Sequence, residues 1–177
     1  MGTALVVIDA QVDVLDDCVQ VEPTLDAIRT LLTGARSAGV PVVWVQHADS
    51  HLVAGSDGWQ IHPALDPLPG EAIVAKAYRD SFADTELRDA LGDADHLVLC
   101  GAQTDYCVRT TAQRAAADGY GLTWVTDAHT TTDARTTDGV VRAQDVIAQH
   151  NHYFAGLRYP GQTVRAVAAD QLAWSRI

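Results

Sequence analysis

Three residues of this sequence have the types needed for acyl transfer: Asp9, Lys76 and Cys107. A cysteine attacks as its thiolate, and the first turn of a helix and a nearby lysine both favour that anion. A carboxylate beside the thiol can take its proton during the attack and then activate water for the second half-reaction. Backbone N–H groups in the same helical turn are free to bind an oxyanion. Together these residue types predict hydrolysis through a thioester.

Each of the three has a more ordinary alternative role. An Asp at a strand end is commonly a cap or turn former, a lone Lys is usually solvated, and a Cys in a helix usually packs in the core. The other cysteines, Cys18 and Cys100, lie in an acidic loop and inside an apolar strand, so both are interpreted as structural. Three cysteines cannot all pair, and the N-terminus is unlike a secretory signal, so we expect a reduced, cytoplasmic protein.

The elements that position these residues are indicated by hydrophobic patterning. Short apolar runs alternate with stretches of helical periodicity, which is typical of parallel strands joined by helices. The predicted strands are 4–9, 41–47, 72–76, 96–101, 120–128 and 163–170, the last with a closing turn. The predicted helices are 24–39 (opened by Pro23), 85–92, 105–119 and 137–155. This order predicts a three-layer α/β/α fold around a mainly parallel, Rossmann-like six-stranded sheet.

The predicted fold brings the three candidates to one edge of the sheet. Asp9 closes the first strand, Lys76 closes the third, and Cys107 lies in the first turn of the helix after the fourth. The carboxyl ends of parallel strands share one edge, and ligands bind there in such folds. Their joint position therefore favours chemistry over the three separate structural roles.

A long irregular segment, 48–70, is predicted beside this edge. It ends in a cluster of prolines and a glycine, and a loop of this length in a compact domain is usually functional or a lid. Trp59 in this loop, with Tyr78 and Tyr106 near the rim, is a candidate substrate contact, because aromatic walls suit a small planar or apolar ligand. Trp44 lies within a strand, so we expect it in the core.

The composition narrows the classes of partner. The 177 residues are predicted to form one domain, 1–177. The net charge of −11 is spread along the chain, which argues against nucleic acid or a membrane as partner and leaves a small-molecule substrate. No apolar run approaches the roughly 20 residues of a membrane-spanning helix. Neither G-x-G-x-x-G after the first strand nor G-x-x-x-x-G-K-[ST] occurs, so no nucleotide cofactor is predicted.

Four segments resemble the isochorismatase-like cysteine hydrolases, a superfamily that includes nicotinamidases, N-carbamoylsarcosine amidases and isochorismatases. They stand in the family's order with similar spacing: VVIDAQVD (6–13), VAKAYRDSF (74–82), LCGAQTDYCVRTTAQRAAADGY (99–120) and VTDAHTTTD (125–133). The resemblance covers nearly the whole chain, and the segment around Cys107 is specific. It implies a catalytic triad with Asp9 as base, Lys76 as charge partner and Cys107 as nucleophile.

The resemblance implies further features of the site. It implies a cis peptide bond between Ala102 and Gln103, and an oxyanion hole made by the backbone N–H groups of Gln103 and Cys107. It implies that Gln11 lines the site near the base. It also implies a homo-oligomer, a dimer or a tetramer.

One departure from the family concerns a metal. Metal-binding nicotinamidases carry Asp-x-His and a further His after the second strand, whereas this chain has His47, Asp49 and His51 in the inverted order. Such a cluster could still hold Zn²⁺ or Mn²⁺. The favoured interpretation is that His47 and His51 cap or line the pocket, so no metal and no cofactor are expected.

The favoured function is cleavage of a C–N bond in a small amide or carbamoyl compound. The alternative of isochorismatase-type vinyl-ether hydrolysis needs a site for a dicarboxylate, yet segment 48–70 contains no Arg or Lys, and Arg79 and Arg109 are the nearest cations by sequence. A non-catalytic, oligomeric member of the family is a third alternative, against which the intact Asp9, Lys76 and Cys107 argue.

Overall fold

The centre of the molecule is a sheet of six parallel strands. The computed structural model describes residues 2–174, and its strands are β1 (Gly2–Ile8), β2 (Val42–His47), β3 (Ala72–Lys76), β4 (Ala94–Ala102), β5 (Gly121–Thr130), β6 (Ala134–Thr136), β7 (Gly139–Val141) and β8 (Val164–Val167). The main sheet has the order β3-β2-β1-β4-β5-β8, while β6 and β7 form a separate antiparallel hairpin. Strands β1 and β4 are therefore central, and buried apolar side chains dominate both.

Helices cover both faces of the sheet. They are α1 (Val12–Leu15), α2 (Val21–Ser37), α3 (Leu87–Leu91), α4 (Arg109–Ala117) and α5 (Ala143–Gly156). Alternate residues of β1 point to opposite faces: Leu5 and Val7 pack in the cluster that contains α2, whereas Val6 packs in the cluster that contains α3, α4 and part of α5. Each such side chain contributes about 1.5–3 kcal/mol by leaving water. The prediction of a three-layer α/β/α fold is confirmed.

The predicted helix over 137–155 is wrong at its beginning. Residues 134–141 form the β6–β7 hairpin, and α5 begins only at Ala143. Asp138 and Gly139 supply the turn, where Gly139 has a φ of 137° that side chains rarely adopt. Asp133 then accepts the backbone N–H of Ala143 and so caps the helix. The Asp-Gly pair is a sequence signal for a hairpin, which the prediction of a helix over 137–155 did not include.

Several other boundaries differ from the prediction. Helix α2 begins at Val21, two residues before Pro23, because the first turn of a helix leaves its N–H groups unpaired and tolerates proline. The short helix α1 was not predicted, and the predicted helix 85–92 is reduced to Leu87–Leu91. The predicted closing turn after the last strand is a 3₁₀ turn, Ala169–Gln171.

Two predictions concern the chain as a whole. Within residues 2–174, every helix is too short or too polar to cross a membrane. The prediction of one domain over 1–177 stays a prediction, because Met1 and residues 175–177 lie outside the described residues.

Candidate active site

The structure brings Asp9, Lys76 and Cys107 together at the carboxyl edge of the sheet. The Lys76 Nζ lies 2.7 Å from the Oδ2 of Asp9 and donates to the Sγ of Cys107 at 3.3 Å. Both members of the ion pair are buried, with side-chain exposures of 0% for Lys76 and 2% for Asp9. A lysine and a carboxylate are rarely buried this deeply unless they are paired. Each of these two charges therefore compensates the burial of the other.

Strand pairing explains how these distant residues meet. Strands β1 and β4 are neighbours, and Ile8, the last residue of β1, pairs with Gly101, one residue before the end of β4. A Cβ on Gly101 would lie 1.9 Å from the carbonyl oxygen of Ile8, so only glycine permits this close approach. Asp9 follows with a φ of 47°, in the left-handed region that Asp tolerates better than most residues. The chain therefore turns sharply at the point where Asp9 enters the site.

The protonation behaviour of Asp9 follows from its burial. Desolvation raises the pKa of its carboxyl group, and the positive charge and hydrogen bond of Lys76 oppose the rise only in part. Its Oδ1 is buried and accepts no hydrogen bond from any group in residues 2–174. A buried carboxylate with one free oxygen and a raised pKa is a stronger base than an exposed one.

The pKa of the Cys107 thiol shifts in the direction opposite to the sequence prediction, which expected the thiolate to be favoured. Burial, followed by the nearby negative charge of Asp9, raises its pKa to about 12, and the positive charge of Lys76 opposes this rise only in part. A thiol whose pKa is raised this far above neutrality is protonated at pH 7. The resting side chain is therefore a thiol, and an attack needs a base to take its proton.

The backbone around Cys107 has an unusual shape. The Ala102–Gln103 peptide bond is cis, and residues Thr104–Val108 form a single π-helical turn before α4. The N–H of Val108 donates to the carbonyl of Gln103, five residues earlier. Such turns are frequent at functional sites. Cys107 therefore lies in a π turn that leads into a helix, rather than in the first turn of an α-helix over 105–119.

A buried histidine holds this turn in place. The Nδ1 of His129 lies 2.8 Å from the hydroxyl of Thr104, and its Nε2 lies 2.9 Å from the Oδ1 of Asn151. Because Asn151 Oδ1 also accepts the indole N–H of Trp124, it acts as an acceptor here, and Nε2 of His129 carries the proton. Burial lowers the pKa of His129 to about 4, so the ring stays neutral. The histidine in segment 125–133 was the available signal for this brace.

A cavity of about 610 Å³ opens over the thiol, which is ample for a small-molecule ligand. It is lined by Asp9, Val14, His47, Asp49, Ala77, Tyr78, Arg79, Gln103, Tyr106 and Cys107. The predicted contacts Tyr78 and Tyr106 therefore both face it. The guanidinium of Arg79 lies 4.2 Å from the centre of the Tyr106 ring, which is a cation–π contact. The sequence indicated Arg79 only as a cation near the site.

Gln11 and Trp59 are not among the residues that line this cavity, which differs from the prediction. The amide of Gln11 is completely buried, donates to the carbonyls of His47 and Trp59, and accepts the N–H of His47. Its side chain therefore ties the 48–70 segment to β2. Trp59 takes part through its backbone carbonyl, which also accepts from Gln46. Trp44 lies in the core as expected, with its indole N–H donated to Glu71.

The histidine segment after β2 does not assemble a metal cluster. The Nε2 of His47 lies 3.1 Å from the Oδ2 of Asp49, and its Nδ1 faces the Lys76 ammonium at 3.3 Å. Both ring nitrogens of His47 are therefore occupied by side chains. His51 donates its backbone N–H to Asp49. Across residues 2–174, no three His, Cys, Asp or Glu side chains are grouped to hold a metal ion.

Comparison with known proteins places this geometry in a family. The Isochorismatase domain family matches residues 3–153. Streptothricin hydrolase from Streptomyces noursei is 34% identical over 145 residues, which are 77% of this chain and 58% of that protein. Ureidoacrylate amidohydrolase RutB from Cronobacter sakazakii is 27% identical over 134 residues, 56% of each chain. The chain thus spans less than two thirds of the length of both relatives.

The fold comparison covers more of the molecule. A crystal structure of an isochorismatase from Pseudomonas putida superposes with a TM-score of 0.87 and 27% identity, over 97% of this chain and 90% of that one. The sheet, the helices and the sequence match therefore agree. The chain belongs to the isochorismatase family of hydrolases.

Proposed function

We propose that the chain hydrolyses a C–N bond of a small amide or carbamoyl compound through a thioester on Cys107. The observation that carries the proposal is the buried contact of one ammonium with both a carboxylate and a thiol, at the floor of a cavity of ligand size. In this proposal Cys107 is the nucleophile, Asp9 the base and Lys76 the charge partner. The name of the relative RutB is that of an amidohydrolase, which supports the same reaction class.

The first half-reaction uses the free oxygen of Asp9. Its Oδ1 takes the thiol proton as the sulfur of Cys107 forms a bond to the substrate carbonyl carbon. The carbonyl electron pair moves to oxygen, and the backbone N–H groups of Gln103 and Cys107 stabilise the oxyanion. When the oxyanion collapses, the C–N bond breaks and the amine leaves with the proton held by Asp9. The raised pKa of Asp9 favours the protonated acid that delivers this proton to the leaving amine.

The second half-reaction returns the enzyme to its resting state. Asp9, again ionised, removes a proton from a water that attacks the thioester carbonyl. The C–S bond breaks, the thiolate takes back the proton, and the carboxylic or carbamic acid is released. Lys76 remains beside both groups and offsets the negative charge that moves between them.

The charges of the cavity favour this reaction over vinyl-ether hydrolysis of a dicarboxylate. Among the cavity-lining residues, Arg79 is the one cation, and no ion pair within residues 2–174 includes it. Asp49 uses both oxygens on the N–H groups of His51 and Leu52 and on His47. One unpaired guanidinium matches one carboxylate, and Arg109 does not line the cavity. The site therefore suits an amide that carries a single acidic group.

The decisive test separates the two reactions by product. The protein is incubated with a panel of small amides and carbamoyl compounds, and separately with isochorismate, and both ammonia and pyruvate are measured. Ammonia from an amide, absent with Cys107→Ala, supports the proposal. Pyruvate release alone would favour the vinyl-ether alternative. Neither product, with native folding intact, would favour the non-catalytic alternative.

The role of Arg79 gives a prediction on specificity. We expect Arg79→Gln to raise KM about tenfold for amides that carry one carboxylate, because a charge-assisted hydrogen bond contributes roughly 1.5–3 kcal/mol. Amides without a charge should change less than about twofold. Arg109→Gln, which alters a cation outside the cavity, is the matched control. Equal effects of Arg79→Gln on charged and neutral amides would contradict this role.

The remaining expectations are also proposals. We infer that Tyr78 and Tyr106 form the aromatic wall against which the substrate packs, since both line the cavity. A homo-oligomer, a dimer or tetramer, is proposed on the family resemblance. The molar mass in solution, measured by light scattering, would test it. A cytoplasmic location is proposed on the three free thiols.

A further inference from the structure

The ammonium of Lys76 has a third partner outside the proposed triad. Its Nζ contacts Asp9 Oδ2 at 2.7 Å, Cys107 Sγ at 3.3 Å and His47 Nδ1 at 3.3 Å. A lysine ammonium carries three N–H donors and no acceptor. The side chain is fully buried, and its three N–H donors face three acceptors. Each of the three contacts therefore takes up one donor of the ammonium.

The contacts of His47 define its tautomer. An ammonium can only donate, so Nδ1 must present a lone pair to Lys76. The ring proton then lies on Nε2, which donates to the Oδ2 of Asp49 at 3.1 Å. Asp49 is itself held by the N–H groups of His51 and Leu52, which keep its pKa well below the usual range. Asp49 thus fixes which nitrogen of His47 faces the site.

The backbone of His47 is fixed as firmly as its ring. His47 and Lys76 are paired residues of the neighbouring parallel strands β2 and β3. The buried amide of Gln11 accepts the N–H of His47 at 2.8 Å and donates to its carbonyl at 3.0 Å. The ring therefore meets Lys76 from a rigid position.

We propose that His47, oriented by Asp49, is a positioning residue that accepts the third hydrogen bond of Lys76 and so holds the ammonium between Asp9 and Cys107. This inference rests on the proposed thioester chemistry. Without the acceptor, one N–H of Lys76 is left unpaired in a buried site, and the flexible four-carbon stem moves to satisfy it. The contact at risk is the longer one to sulfur, since the ion pair with Asp9 is the stronger attraction.

The first experiment compares two substitutions at His47. His47→Phe keeps the ring volume and removes the acceptor, whereas His47→Asn keeps an acceptor on Cγ, where Nδ1 is attached. We expect His47→Phe to lower kcat about 10- to 100-fold with KM changed less than about threefold, because small misplacements of reacting groups have effects of this size. His47→Asn should restore most of the loss. Equal losses in the two variants would overturn the proposal.

The second experiment asks whether His47 acts through Lys76. The rate at which iodoacetamide modifies Cys107 is followed by peptide mass spectrometry, which needs no substrate and no turnover. His47→Phe should slow the modification at least about threefold, because a displaced ammonium no longer favours the thiolate. In a Lys76→Met background the same substitution should add less than about twofold. An undiminished effect in that background would show that His47 acts by another route and would overturn the proposal.

The remaining controls distinguish a positioning role of His47 from a role as metal ligand. They also distinguish failure of this proposal from failure of the proposed thioester reaction. His51→Ala removes a side chain outside this chain of hydrogen bonds, and its activity should equal that of the unmodified protein. Loss of activity in His51→Ala would indicate that His47 is a metal ligand and would overturn the proposal. Loss of activity on adding a chelator, with recovery on adding Zn²⁺ or Mn²⁺, would overturn it in the same way. Normal hydrolysis by Cys107→Ala would instead refute the thioester reaction, while the iodoacetamide rates would still test His47.

Discussion

Cys107→Ala is expected to lower the rate of amide hydrolysis by at least about 10⁴-fold, because a single nucleophile of a cooperating set accounts for losses of this order. The thiol faces the cavity and accepts a hydrogen bond from the Lys76 ammonium at 3.3 Å. Initial rates of ammonia release on the best amide of the panel measure the effect. A wild-type reaction quenched in acid should show an acyl group on the peptide that contains Cys107.

The control for this prediction is Cys100→Ala. The Cys100 thiol is completely buried in β4, where it donates to the carbonyl of Val6 at 3.7 Å and burial raises its pKa. We expect activity in this variant to stay within about threefold of the unmodified protein, with some loss of stability from the small cavity. Turnover that survives in Cys107→Ala, or an acyl group on another residue, would contradict the thioester mechanism.

Asp9→Asn is expected to have the second largest effect, on activity and on stability together. Loss of the proposed base should lower kcat about 10²- to 10⁴-fold. The same change leaves the buried Lys76 charge without its carboxylate, and breaking such a pair costs about 3–5 kcal/mol of unfolding free energy. Denaturant unfolding monitored by circular dichroism measures the second effect.

A double variant separates the two roles of Asp9. Asp9→Asn with Lys76→Met removes both charges, so no uncompensated charge is buried and most of the lost stability should return. Activity should not return, because neither the base nor the charge partner is present. If the double variant recovers activity along with stability, the effect of Asp9→Asn was structural and Asp9 is not the base.

The pH dependence follows from the direction of the Asp9 shift. Because burial raises its pKa, Asp9 gains a proton at a pH above that of an exposed Asp, and activity should fall as the pH drops through this raised value. The acid limb of kcat/KM should therefore lie above the ordinary Asp range near pH 4. An acid limb at or below the ordinary range would contradict the raised pKa.

The sequence by itself determined the fold class and predicted that Asp9, Lys76 and Cys107 meet at one edge of the sheet. Apolar runs of strand length alternate with helical periodicity, and this local pattern is enough to indicate parallel strands joined by helices. Asp9, Lys76 and Cys107 each follow or close a strand, and parallel strands end at one edge, so their meeting did not depend on fine detail. The β6–β7 hairpin differs from the predicted helix because this threonine-rich stretch carries little strand alternation, and the Asp138–Gly139 turn is its one hairpin signal.

The tertiary structure alone decided how these residues behave. The raised pKa of Cys107 comes from burial by residues far away in the sequence, which a local view of a helix start and a lysine cannot include. The order of the strands places β2 beside β3, and only this pairing puts His47 against Lys76. The same packing turns Gln11 toward the backbone of His47 and Trp59 instead of the cavity. Residue types and strand ends are local properties, whereas burial and strand neighbours belong to the assembled fold.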